Sequence, residues 1–129
     1  MAAKTINREL TMTTEEFVFV SAYLDAVDFT ETGEIDQPPK GTEFDNDFLR
    51  ESIIDCLAFF SRIRPYIGDH LLRAAGTDFW YTRQNHGTGF WDGDRGYPEH
   101  MKDKFTLWAI AAGSVDVWYE FDYSKLATA

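Results

Sequence analysis

Apolar positions recur at helical spacing in the first half of the chain and at alternating spacing near its end. Thr13 opens a capping box with Glu16, and Phe17, Val20, Leu24 and Val27 then share one side, so the pattern predicts an amphipathic helix over 14–28. The polar run DFTETGEIDQPPKGTEFDND follows. Its Gly33, Pro38, Pro39 and Gly41 can neither continue a helix nor pair as a central strand, which makes this the longest loop. Asp45 or Asn46 caps a second helix over 47–64, with a core side of Phe48 or Leu49, Ser52, Ile53, Cys56, Leu57, Phe60 and Ile63.

Pro65 suits the first turn of a new helix, so a kink or restart is expected near Arg64, and PYIGDHLLRAAG reads as a short helix stopped by Gly76. DFWYTR then alternates Phe79 and Tyr81 against Trp80 and Thr82, QNHGTG turns the chain, and FWDG returns it. This stretch is predicted to be a β-hairpin. Pro98 starts a last helix with Met101, Phe105, Trp108 and Ala112 along one side and Gly113 as its stop, and VDVWYEFDY alternates as a closing strand. The element order predicts an α+β fold, with amphipathic helices over one face of a small three-stranded mixed sheet. Residues 1–12 lack periodicity and read as a flexible tail; 13–129 read as a single domain.

Composition sharpens this picture in two places. The chain is 44% hydrophobic and 16% aromatic, which suits a core filled by large rings. Cys56 is the only cysteine and lies in an apolar helical pattern, so no disulfide or thiolate cluster forms within one chain. The N-terminal residues carry no apolar run of signal-peptide length and no stretch is apolar enough for a membrane span, so the expected compartment is the cytoplasm.

Charge changes the picture more. Of the 22 acids, eleven fall between Glu9 and Asp47, against Lys40 as the one base there. They are Glu9, Glu15, Glu16, Asp25, Asp28, Glu31, Glu34, Asp36, Glu43, Asp45 and Asp47, and this segment accounts for the whole net charge of −10. Such a field repels nucleic acid and draws in basic surfaces. The plain reading is a solvated face that keeps the protein soluble; the functional one is a surface that mimics nucleic-acid phosphate or docks on a basic partner.

Candidate chemistry concentrates in DFWYTRQNHGTGFWDGDRGYPEH, residues 78–100. Trp80, Arg83, Trp91 and Asp92, with His86 in the turn, would share one face of a hairpin and clamp a nucleotide-like ligand. The competing expectation pairs Arg83 with Asp78 or Asp92 and sends the rings to the core. His86 is the one catalytic candidate, because imidazole titrates near neutrality, but it has no partner in sequence. The Gly87-Thr88-Gly89 run lacks the Lys or Ser/Thr and helix of a phosphate loop. Ser21, Ser52, Ser61, Ser114 and Ser124 sit in no nucleophile-elbow context, and His70, His86 and His100 lack metal-ligand spacing, so neither a metal nor a cofactor is expected.

The run TDFWYTRQNHGTGFWDG, with the helix and strand expected after it, resembles small uncharacterised bacteriophage accessory proteins. Tyr81, where an aliphatic residue is expected, and Gln84–Asn85, in place of Asn-Gly, depart from that pattern. The resemblance implies a protein acting inside a bacterial host cell and supplies no substrate or catalytic roles. Together with the acidic segment it favours a binding protein that modulates or inhibits a basic, nucleic-acid-handling host or immune protein, without contacting nucleic acid or membrane itself. The alternative is a small-ligand binder or sequestering protein at the hairpin; the third is a small hydrolase or transferase centred on His86.

Overall fold

The computed structural model describes residues 11–93 and 95–120. Its regular elements are four α-helices, numbered here α1 (Thr14–Glu31), α2 (Asn46–Ile63), α3 (Leu72–Arg83) and α4 (Lys102–Ala111). Short 3-10 turns at Arg64–Tyr66, Asp69–Leu71 and Glu99–Met101 lead into or out of them.

The first two helices begin where their capping chemistry puts them. The Thr13 side chain accepts from the Glu16 amide at 3.1 Å while Glu16 Oε1 accepts from the Thr13 amide at 2.8 Å, which satisfies two otherwise orphaned donors of α1. Asp45 Oδ1 accepts from the amides of Asp47 and Phe48 at 2.9 and 3.2 Å, opening α2. Pro65 ends α2 as expected, since its ring and missing N–H forbid another turn. Arg64 at that corner holds Glu15 with both Nε and Nη2, at 2.9 and 3.1 Å, and so ties the end of α2 to the start of α1.

Gly76 does not stop a helix; it lies inside α3, which runs on to Arg83. The reason is packing. α1 and α3 make the most extensive helix pair in the molecule. A Cβ at Gly76 would stand 2.2 Å from the carbonyl oxygen of Phe19, so only glycine lets the two backbones come this close. Phe19, Tyr23, Phe59, Phe79 and Trp80 pack together around this crossing, with the Phe59 and Phe79 rings stacked at 4.1 Å. Phe79, Trp80, Phe90 and Phe105 are all fully buried.

The expected α+β fold is therefore corrected: the protein is helical, with no strand or sheet among the described residues. DFWYTR is the C-terminal half of α3, not the first strand of a hairpin. QNHGTG begins with the cap of that helix. Asn85 takes φ +58°, its amide donates to Thr82 O at 3.1 Å, and the His86 amide donates to Tyr81 O at 2.9 Å, the paired bonds that close a helix end on a left-handed residue. The segment after it, FWDG, forms turns. Gly113, at φ +85°, does end α4.

The closing VDVWYEFDY segment is extended through Glu120, with Val115, Val117 and Tyr119 turned inward and Asp116, Trp118 and Glu120 exposed. Among the described residues it pairs with the chain through one antiparallel bridge, Phe44 with Tyr119, and not with any hairpin. The amide of Asp45 donates to Trp118 O at 3.0 Å and that of Glu120 to Glu43 O at 2.8 Å. Phe121 and Asp122, the end of the expected strand, and residues 1–10 of the expected tail lie outside the described residues.

Candidate functional site

Several of the acids between residues 9 and 47 have structural work. Glu15 is clasped by Arg64, which holds its carboxyl below the usual range; Glu16 and Asp45 cap helices. Glu31 is half-buried at the end of α1, and Glu34 and Asp36 stand exposed in the loop that follows. Glu9 lies outside the described residues, and the other four, Asp25, Asp28, Glu43 and Asp47, line two hollows on either side of the Phe44–Tyr119 bridge, with Asp45 lining one of them as well.

The smaller hollow, about 160 Å³, is walled by Leu24, Asp25 and Asp28 of α1, by residues 41–44, by Asn46 and Leu49 of α2 and by Glu120. The larger, about 460 Å³, lies between α2 and the extended C-terminal segment; its walls carry Asp45, Asp47, Glu51, Asp55 and Asp116, with Trp118 and a floor of Tyr23, Phe48, Ser52, Arg83 and Val115. Charge spacing along the sequence had not pointed to Glu51, Asp55, Asp116 or Glu120, because these acids lie outside the dense segment. Glu51 and Asp55 follow Asp47 at four-residue spacing along α2, and the pairing of residues 43–45 with 118–120 brings Asp116 and Glu120 beside them.

Of the five residues expected to clamp a ligand, Arg83 alone lines either of these hollows. Its side chain is 1% exposed and lies between four elements. Nε donates to Gly113 O at 2.7 Å, Nη2 to Ala112 O at 3.0 Å, and Nη1 to the Tyr23 hydroxyl at 3.1 Å and to Asp55 Oδ2 at 3.0 Å. Its partner is thus Asp55, not Asp78 or Asp92. Burial raises the Tyr23 hydroxyl well above its ordinary pKa, and neighbouring groups contribute in both directions.

The other members of the proposed clamp point elsewhere. Trp80 is fully buried and its indole N–H donates to Thr30 Oγ1 at 2.9 Å. His86 is exposed just beyond the end of α3, with its ring 6.1 Å from Trp80 and edge-on to Tyr81 at 5.9 Å. Trp91 is 40% exposed. Asp92 accepts from the Thr88 hydroxyl and from the Gly89 amide, bonds that close the turn and hold its carboxyl below the usual range. Gly89 is needed in that turn, since a Cβ would lie 2.1 Å from Thr82 Oγ1. Trp80, Arg83, His86, Trp91 and Asp92 are not brought to one surface.

Asp78, expected as a partner for Arg83, instead forms a buried site of its own with Tyr97 and Arg95. Asp78 is fully buried in α3; its Oδ2 accepts from the Tyr97 hydroxyl at 2.7 Å and from Arg95 Nε at 3.1 Å, while Oδ1 has no partner among the described residues. Burial raises its pKa above the ordinary value, against the opposing pull of Tyr97 and Arg95. Among the described residues no group of three or more His, Cys, Asp or Glu is placed to hold a metal ion, and no helix is long and apolar enough to cross a membrane.

The chain matches no family model, no curated protein and no solved structure.

Proposed function

We propose that this protein is an accessory binding protein, encoded by a bacteriophage, that engages a basic, nucleic-acid-handling host or immune protein through its acidic surface and modulates or inhibits it. The observation that carries this reading is the gathering of carboxylates from both ends of the chain: Asp25, Asp28, Glu43 and Glu120 around one hollow, and Asp45, Asp47, Glu51, Asp55 and Asp116 around its neighbour. Of these nine, only Asp55 faces a cation across a short ion pair in the described residues. A surface of this kind presents dense negative charge in fixed positions, as a nucleic-acid backbone does, and its attraction for a basic protein weakens as salt screens it.

The test is capture from a bacterial lysate at low and at high salt, beside a variant carrying Asp25→Lys, Asp28→Lys and Glu43→Lys. A partner held at low salt, released at high salt, displaced by duplex DNA and not retained by the variant is the expected result. Recovery indifferent to salt and to the variant, or no partner at low salt, overturns it. The small-ligand reading loses its geometric support, because the five residues meant to form that site diverge.

A further inference from the structure

We propose that the hollow of about 460 Å³ between α2 and the C-terminal segment receives an arginine side chain of the basic partner, its guanidinium set against Asp47, Glu51 and Asp116 and stacked on Trp118. The inference rests on the proposed function and names the chemical group that the acidic surface selects.

Four observations converge on it. First, the walls are negative on two sides: Asp47 and Glu51 come from α2 and Asp116 from the facing extended segment, all three exposed and with no short ion pair among the described residues. A cation between them meets carboxylates from opposite directions. Second, Trp118 stands at this hollow 64% exposed, a costly placement for an indole whose ring has no hydrogen-bond or ring partner among the described residues. A ring so placed attracts a cation over its face, and a planar guanidinium stacks there better than an ammonium.

Third, the floor holds polar groups left unfinished. Ser52 is only 3% exposed, lines the hollow, and its hydroxyl makes no hydrogen bond among the described residues. Helical Thr30 and Thr106 donate back to their own helix carbonyls, and Ser52 does not. The Tyr23 hydroxyl accepts from Arg83 and makes no donation of its own to any described residue. The Ser52 hydroxyl oxygen is free to accept from an entering guanidinium, which carries donors only, and the unused Tyr23 donation is left for a carbonyl of the chain that enters with it. Fourth, the chain already places a guanidinium in this wall: Arg83 pairs with Asp55 and neutralises the innermost carboxylate, leaving the outer ones for a second cation. The absence of a metal-binding geometry among the described residues favours an organic cation over a metal ion. The space exceeds what one guanidinium needs, so residues flanking the arginine enter with it.

The experiment is titration of the full chain, at low salt, with a blocked alanine-based peptide carrying spaced arginines, followed by Trp118 fluorescence and calorimetry. The lysine version of the peptide and free spermidine are the comparison probes. Glu51→Gln with Asp116→Asn, and separately Trp118→Leu, are expected to weaken arginine-peptide binding about 5- to 10-fold. Asp25→Asn with Asp28→Asn, which removes as much charge at the other hollow, should weaken it no more than about twofold. Ser52→Ala should weaken binding without lowering the melting temperature, a result that a purely structural serine would not give.

Equal losses from both pairs of charge variants, equal affinity for the lysine peptide, or spermidine binding as tightly as the peptide would each overturn the inference. So would a salt-sensitive lysate partner still retained by the Glu51→Gln/Asp116→Asn protein but lost on Asp25→Lys/Asp28→Lys/Glu43→Lys. In that case the proposed function stands and this assignment of the site falls, whereas the lack of any salt-sensitive partner removes the function itself.

Discussion

Arg83 and Asp78 are buried on the same helix, and the fold treats them in opposite ways. Arg83 has every nitrogen engaged and joins α1, α2, α3 and the end of α4 through Tyr23, Asp55, Ala112 and Gly113. Asp78 gives one oxygen to two donors, Tyr97 and Arg95, and leaves the other buried without a partner among the described residues. The first is a joint between elements; the second anchors only the loop that leads to α4. A buried ion stabilises in proportion to how completely its partners replace the water it lost, so the two should respond differently to removal.

The sharpest way to break this contrast is to cut the joint. Arg83→Met keeps much of the apolar stem but strands two carbonyls and the Tyr23 hydroxyl. The expected loss is about 3 kcal/mol, read from urea unfolding, with Asp55 softening it because that carboxylate is 40% exposed and solvent can take it over. A neutral result would mean the contrast is empty.

Asp78→Asn tests the other side and should change stability by only about 1 kcal/mol near neutral pH, since the amide oxygen still accepts from Tyr97 and Arg95. Its pH dependence carries the sign. Burial raises the folded-state pKa of Asp78 above the ordinary 3.8, so the folded protein holds that proton more tightly than the unfolded chain. Ionised Asp78 therefore opposes folding above its raised pKa, and that cost fades as pH falls toward 3.8. The stability of wild type relative to Asp78→Asn should decline as pH climbs from 3.8 through the raised value and then level off. A flat difference, or one that grows with pH, contradicts it.

The smallest effect belongs to His86, which lies close to both groups in sequence but exposed beyond the helix end. His86→Ala should move the unfolding midpoint by no more than corresponds to about 0.5 kcal/mol. A larger change would give the imidazole a structural part that its surroundings do not suggest.

What could be read from the sequence followed how each helix meets water. α2 keeps an outer face in solvent, so its apolar stripe and its cap at Asp45 are visible in the sequence, and the expected 47–64 lies one residue from the observed Asn46–Ile63; α1 is largely enclosed, with Phe19, Ala22, Tyr23 and Ala26 buried besides the expected side, and its start is legible from the capping box at Thr13. α3 is enclosed: Leu72, Ala75, Gly76, Asp78, Phe79, Trp80, Thr82 and Arg83 are all buried. A helix wrapped on most sides has no stripe, and its aromatic and Thr content then favours a strand on propensity alone. Gly76 was read as a terminator for the same reason, because only the neighbouring Phe19 carbonyl explains it. The C-terminal alternation did encode an extended segment with an inner and an outer face, but alternation does not say what the segment pairs with. Likewise the acidic stretch was plain as a charge count, whereas the hollow it helps to wall needs Ser52, Asp116 and Trp118, which meet only through tertiary contacts.

The extended segment is pinned at both ends, by Arg83 and Gln84 at Gly113 and Val115, and by Glu43 and Asp45 at Trp118 and Glu120. A ribosome makes α1, α2 and α3 before it makes this segment. A nascent chain halted after α3 would already carry its dense negative charge and much of its ring-packed core, yet one wall of the larger hollow would not exist. Under the proposed function, recognition by shape would then arrive later in synthesis than attraction by charge, and a fragment ending before Val115 would be drawn to basic proteins without discriminating among them.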